Sequence, residues 1–185
     1  MRIRNGGFLM DKKNIRILVS ACLLGVNCRY DGKNGRRDEV LELLKEYELI
    51  PVCPEQMGGL GTPREPAECR RDGGQVRVMN RKGCDVTEYF EKGGEEALQI
   101  AKLYGCRYAI LKERSPSCGS GVIYDGTFSG VKTAGDGVTA RLLKKHGIKV
   151  AGESGISSLI SEISSDMMDG SINITQLNRN QMTEE

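Results

Sequence analysis

The chain has one histidine, His146, in 185 residues and no tryptophan. A single imidazole excludes two-histidine zinc sites outright and leaves one base for any cysteine or serine hydrolase scheme. His146 lies beside Gly147 at the expected end of a helix, where a cation merely complements the helix dipole. Aromatic residues are 5% of the chain, so there is little of the aromatic interleaving that stacks nucleic-acid bases. Charge of one sign is also missing. Basic residues number 27 against 25 acidic, a net of +2, which argues against a dedicated DNA-binding or polybasic membrane protein. The Arg36-Arg37 and Arg70-Arg71 pairs read as solvated faces, and a small or locally recognised substrate fits better. No run approaches the roughly 18 to 20 apolar residues needed to span a bilayer, and residues 1–14 have no apolar signal core. A cytoplasmic protein with no membrane partner is expected. No Gly-x-x-x-x-Gly-Lys-Ser/Thr phosphate loop and no Cys-x-x-Cys occurs, and Gly59-Leu60-Gly61-Thr62-Pro63-Arg64 departs from the dinucleotide fingerprint.

Glycine is abundant instead, at 24 positions, about twice the usual share. Many loops are implied, and with them a site built from loops. The length suits one domain with a modest appendage. The seven cysteines are too few for a disulfide scaffold and odd in number; in a reducing compartment they persist as thiols or metal ligands.

Hydrophobic patterning alternates strands with helices. Residues 1–13 read as a flexible segment. Ile15, Ile17, Leu18 and Val19 form a short buried strand ending at Ser20-Ala21-Cys22. Asp38 can cap a helix carrying Val40, Leu41, Leu43, Leu44 and Tyr47. Leu49-Ile50-Pro51-Val52 makes a second strand, ending at Cys53-Pro54-Glu55 before a long Gly- and Pro-rich loop. Val76, Val78, Lys82-Gly83 and Asp85-Val86 resemble a small hairpin, leading to Thr87 as a helix cap. Gly93-Gly94 is an awkward helix interior, beyond which Ala97, Ile100, Ala101 and Tyr104 space as a buried helix face. Residues 107–111 give a third strand, 115–136 a second Gly-rich stretch, and Leu142 and Leu143 a further helix opened by Asp136 or Thr139. Ile148, Val150 and Ala151 give a fourth strand. A domain over 14–153, a C-terminal helix over 154–169 and a flexible tail over 170–185 complete the expectation. The fold class is α/β: one domain, a parallel Rossmann-like sheet flanked by helices, with a small β-hairpin insertion.

Cys22 follows the first strand, Cys53 the second and Cys118 the third. Ligands of open parallel sheets bind at the carboxyl edge, so these thiols are candidates to converge. Three thiolates without histidine make a poor closed zinc site; soft sulfur favours iron-sulfur, zinc or cuprous ions. Three cysteines on an iron-sulfur cluster, which usually takes four, would leave one iron open. Cys28 is a further candidate ligand, Cys106 reads as core, and Cys69 and Cys84 flank the expected hairpin as idle thiols. Glu55 could move protons where histidine is absent, or simply pair with Arg64. Ser115 could orient a ligand, or serve as a turn residue before Pro116.

At these residues the chain resembles the thiouracil desulfidase family. The resemblance runs through Ser20-Ala21-Cys22-Leu23-Leu24-Gly25, Cys28-Arg29-Tyr30-Asp31-Gly32, Pro51-Val52-Cys53-Pro54-Glu55 and Lys112-Glu113-Arg114-Ser115-Pro116-Ser117-Cys118-Gly119. Thr62-Pro63-Arg64-Glu65-Pro66, Tyr124-Asp125-Gly126-Thr127-Phe128 and Gly135-Asp136-Gly137-Val138-Thr139 extend it. It implies a 4Fe-4S cluster on Cys22, Cys53 and Cys118 with one open iron site, and Glu55 and Ser115 as catalytic residues. The implied reaction is non-redox desulfuration of thiouracil or a thiouridine-type nucleotide, releasing hydrogen sulfide, with nucleic acid possible but not favoured as partner. Two other classes remain open: a metal or redox sensor without turnover, and a binder of thiolated RNA.

Overall fold

A computed structural model describes residues 12–72 and 75–169. The segments read as flexible, 1–13 and 170–185, lie outside the described residues except for Lys12 and Lys13. These two open a 3-10 turn, Lys12–Asn14, anchored by Lys12 Nζ on Glu46 Oε2 at 2.6 Å.

Strand β1, Arg16–Ser20, runs into a 3-10 turn, Ala21–Leu24, that Gly25 closes in the left-handed region at φ 99°. Helix α1 is short, Asp38–Glu42, and tightens to a 3-10 turn over Leu43–Lys45. Asp38, read as its cap, is its first residue, and Arg37 holds the cap position. Strand β2, Glu48–Val52, is followed at once by helix α2, Pro54–Met57, where a loop is expected. Proline at the first helical position loses no hydrogen bond, which explains a helix starting inside a Pro- and Gly-rich stretch.

The hairpin is real but displaced. Strand β3, Ala67–Asp72, pairs antiparallel with β4, Gln75–Asn80. The expected return strand at Asp85-Val86 amounts to a single bridge, Met79 to Asp85. Helix α3 then runs unbroken over Thr87–Leu103, through the awkward glycines, and the reason is a close approach. A Cβ on Gly93 would stand 1.9 Å from the Pro54 carbonyl oxygen, and one on Gly58 equally close to the Tyr89 carbonyl oxygen. Backbone therefore packs on backbone where α2 meets α3, and this seats the segment carrying Cys53 and Glu55.

Strand β5 is Tyr108–Leu111. A second hairpin, β6 at Val122–Tyr124 with β7 at Lys132–Ala134, occupies the stretch read only as Gly-rich. Helix α4, Val138–Lys145, is capped by Gly137, strand β8 is Lys149–Gly152, and helix α5 is Ile156–Met168. The central sheet is parallel, in the order β2-β1-β5-β8.

Its strands are apolar on both faces, as burial between helices requires. Ile17, Val19, Leu49, Tyr108 and Ile110 pack with Val40 of α1 and with Leu159 and Ile163 of α5. Leu18, Ile50, Val52, Ala109 and Leu111 pack with Leu98 and Ala101 of α3 and with Leu143 of α4. A smaller cluster, Cys69, Val78, Phe90, Ile123 and Val138, fastens the two hairpins to the domain. Among the described residues no helix is long and apolar enough to cross a membrane.

Candidate active site

The chain steps from β1 to β2 on one side, then returns past β1 to place β5 on the other. The carboxyl ends of β1 and β5 therefore flank the point where strand order reverses, the usual ligand crevice of an open α/β sheet. A cavity of about 480 Å³ opens there, within the range of small-molecule sites. Cys22 from the turn after β1, Cys53 at the cap of α2 and Cys118 from the turn after β5 all line it, and so does Cys28. Ser20, at the end of β1, accepts the Lys112 N–H at 2.9 Å and so ties the β1 and β5 ends together.

Cys53 Sγ donates to the Cys28 carbonyl oxygen at 3.7 Å. The neighbouring Cys22 side chain pushes the Cys28 thiol up to about 11, although the Cys53 side chain acts the other way. Cys53 is driven far above the ordinary thiol range by the neighbouring Cys28 side chain and by burial. Burial pushes Cys118 up to about 12, against the Ser20 hydroxyl. Left to themselves Cys28, Cys53 and Cys118 are neutral and poorly nucleophilic at physiological pH. A cationic metal centre reverses that by taking them as thiolates. Among the described residues no three Cys, His, Asp or Glu side chains close around one metal ion. Four thiols line one cavity instead, and a polynuclear cluster, unlike a single ion, takes its ligands on different irons.

Glu55 is anchored at both oxygens. Arg64 donates to Glu55 Oε2 from Nε at 2.9 Å and from Nη2 at 2.6 Å, and Ser115 Oγ donates to Oε1 at 3.3 Å. The same guanidinium donates from Nη2 to the Cys28 carbonyl oxygen at 3.1 Å. Arg64 thus joins the carboxylate to the loop bearing Cys28. The plain alternative for Glu55, pairing with Arg64, holds together with its place in the cavity. Ser115 Oγ accepts the N–H groups of Ser117 and Cys118, both at 3.1 Å. It therefore does what a turn residue does and still presents its hydroxyl to Glu55.

Further cations line the cavity: Arg29, Arg81, Lys112 and Arg114. Arg29 pairs with Asp31 at 3.0 Å and Lys112 with the buried Glu153. Glu153 also accepts the Glu113 N–H at 2.7 Å, which fixes the start of the segment leading to Ser115.

The hairpins supply more of the lining, and of it the sequence motifs held only Tyr124 and Phe128. Glu68 of β3, 9% exposed, accepts the backbone N–H groups of Gly126 at 3.1 Å and Phe128 at 2.9 Å through Oε2. Glu68, Tyr124 and Phe128 all line the cavity, as does Tyr30. The only hint of Phe128 lay in its place within a recognised motif.

The remaining cysteines stay outside the lining. Cys69 is buried in β3 and donates to the Pro116 carbonyl oxygen at 3.3 Å; Cys84 is exposed; Cys106 is buried before β5. His146 caps α4, with Nδ1 3.0 Å from the Leu142 carbonyl oxygen.

Comparison with known proteins gives three matches. The sequence profile of the 2-thiouracil desulfurase family covers residues 17–155. An uncharacterized protein, YbbK of Bacillus subtilis (strain 168), is 43% identical over 150 residues, which span 78% of this chain and 99% of that protein. The solved structure of a 4Fe-4S-dependent thiouracil desulfidase, TudS, superposes with a TM-score of 0.74 at 46% identity, covering 81% of this chain and 98% of that one.

Proposed function

The chain belongs to the 2-thiouracil desulfurase family, and from that premise we propose that it hydrolyses the C=S group of a small thiolated pyrimidine to C=O, releasing hydrogen sulfide without net oxidation or reduction. Cys22, Cys53 and Cys118 hold a 4Fe-4S cluster with one iron free of protein ligands, and Glu55 and Ser115 are the catalytic pair. The observation that carries this reading is the meeting of these five residues, from the carboxyl ends of three parallel strands, in one cavity. The donor set fits the group. The thiols are soft ligands, and the cations of the lining offset the negative charge that thiolates and inorganic sulfide bring. TudS, the structural relative, is named as 4Fe-4S-dependent.

When bound, the cluster supplies a soft Lewis-acidic iron matched to the thiocarbonyl sulfur. The chain's own residues supply proton control. Glu55, held by Arg64 on one oxygen, takes a proton from water as the water oxygen bonds to the thiocarbonyl carbon. Ser115, whose oxygen is already held by two backbone N–H groups, turns its O–H from Glu55 Oε1 to a ring heteroatom of the substrate when the substrate binds. As the carbon–sulfur bond breaks, the electron pair leaves with sulfur, and the protons of the consumed water go to the departing sulfide. Carbon keeps its oxidation state, so no external electron donor is needed.

The test is anaerobic reconstitution with iron and sulfide, followed by measurement of sulfide release from 2- and 4-thiolated pyrimidines. Turnover is expected in the wild type. Glu55→Ala is expected to abolish it while retaining iron and acid-labile sulfide. An intact cluster with no sulfide release from any of these substrates would overturn the reading in favour of a sensor.

A further inference from the structure

The hairpin side of the cavity contains an expensive arrangement that proton transfer and cluster binding do not use. Phe128 adopts the left-handed backbone region at φ 58°, which is uncommon for any side chain other than glycine and rarer for a bulky one. Such conformations persist where the surroundings over-determine them, and they cluster at ligand clamps. Here the surroundings are specific. The buried Glu68 carboxylate takes the Gly126 and Phe128 amides on one oxygen. Asp125 turns the loop by accepting the Thr127 N–H at 3.0 Å and its hydroxyl at 2.6 Å. Gly126 lies against β3 so closely that a Cβ there would stand 2.9 Å from the Cys69 carbonyl oxygen. The Arg81 guanidinium sits 5.7 Å from the centre of the Phe128 ring. Burying a carboxylate to satisfy two loop amides is costly, and what it secures is one half-buried aromatic ring in the cavity lining.

We infer that Phe128 is the platform on which the substrate's pyrimidine ring stacks, and that Glu68 is the residue that positions it. This deepens the proposed function and rests on it. A flat heterocycle offers few apolar edges to a pocket, and an aromatic face is the general means of holding one. The lining contains three aromatics, Tyr30, Tyr124 and Phe128. Among them Phe128 has its backbone locked by a buried charge, so its ring is held ready before the substrate arrives.

The test uses the anaerobically reconstituted enzyme as wild type, Phe128→Ala and Phe128→Tyr. For Phe128→Ala the KM for 2-thiouracil is expected to rise on the order of 10-fold, with kcat changed by less than about 2-fold. Phe128→Tyr, which keeps the ring, is expected to recover most of the affinity lost in Phe128→Ala. Equilibrium dialysis with uracil, which has no sulfur to engage iron, should show the same weakening in Phe128→Ala. Glu68→Ala is expected to reproduce the Phe128→Ala effect and to add nothing to it in the double variant. If Glu68→Ala does not fold, the Phe128 series decides alone. Unchanged KM and uracil affinity in Phe128→Ala would overturn the inference. So would a loss confined to kcat and melting temperature, which marks a purely structural loop. Absence of sulfide release by the loaded wild type would overturn the proposed function instead, and uracil dialysis would still report on Phe128.

Discussion

The two ends of the central sheet use the same chemical groups to opposite effect. Cys106 precedes β5 and Cys118 follows it; each is 5% exposed, and burial pushes each thiol up to about 12. Both belong to the apolar cluster of Leu98, Ala101 and Ile148, but only Cys118 also lines a cavity, which it shares with three other thiols and Glu55. Polar groups follow the same division. At the amino ends of β5 and β8, the Tyr108 hydroxyl donates to Asp166, and Lys149 reaches Asp166 and Glu162, both at 2.8 Å. Each charge there meets an opposite one, so the network holds α5 to the sheet. At the carboxyl ends, four thiols line one cavity and a carboxylate receives a hydroxyl, so groups that could ligate or transfer protons remain available. Burial and thiol acidity do not distinguish the two ends. Convergence at the point where strand order reverses does.

The sharpest way to break this comparison is to remove one cysteine from each end. Cys118→Ala is expected to abolish sulfide release from 2-thiouracil, with loss of bound iron. Cys106→Ala should keep turnover within about 2-fold and cost only about 1 to 2 kcal/mol of stability. Iron and acid-labile sulfide analysis beside steady-state rates checks both, and equal loss in the two variants would erase the distinction.

Next in size is the anchor on Glu55. The Arg64 and Glu55 side chains are 9% and 16% exposed, so removing one partner leaves a largely desolvated charge. Arg64→Ala is expected to reduce kcat by about 10- to 100-fold and to destabilise the fold by roughly 3 kcal/mol. Arg64→Lys should recover part of the stability but less of the rate, because an ammonium cannot reproduce the two-pronged contact. Urea unfolding and kcat, measured on the same preparations, separate these effects.

A smaller effect sharpens the picture of the amino end. The Lys149 ammonium, and after it the Tyr108 hydroxyl, hold the Asp166 carboxyl below its usual range. A depressed carboxyl contributes stability above its unfolded pKa of about 3.9 and loses it as pH falls through the folded value. Asp166→Asn is therefore expected to cost about 2 kcal/mol at neutral pH, and the gap from wild type should shrink below about pH 4. Urea midpoints across that range check the sign, and turnover at pH 7 should be unaffected. Smallest of all, Cys84→Ser at an exposed position should shift stability by less than about 0.5 kcal/mol and leave the iron content unchanged.

The legible parts of the fold were those where local pattern and tertiary role agree. The four strands of the sheet are short apolar runs because both faces are covered, and α5 shows a helical stripe because only one of its faces is. Strand β3 escaped notice because Glu68, Arg70, Arg71 and Asp72 read as a polar loop. Its partner β4 was visible through Val76 and Val78, and the hairpin was therefore closed in the wrong direction. Gly93 looked like a flaw in α3 because the backbone of α2 that it accommodates lies far away in sequence.

The candidate site divides in the same way. Local spacing was enough to mark Cys22, Cys53, Cys118, Glu55 and Ser115, because each follows the end of a recognisable strand and parallel strands bring such ends to one edge. The sequence by itself thus determined the α/β class, the edge of the sheet on which chemistry would lie, and the soft-ligand character of that edge. Only the tertiary structure decided that Cys53 donates to the Cys28 carbonyl oxygen, that Arg64 ties Glu55 to the loop bearing Cys28, and that Glu68 pins Phe128 across a separation of 60 residues. The reason is physical. Strand and helix propensities act over a few residues and leave a periodic trace, whereas a hydrogen bond between distant loops depends on how whole layers pack and leaves none.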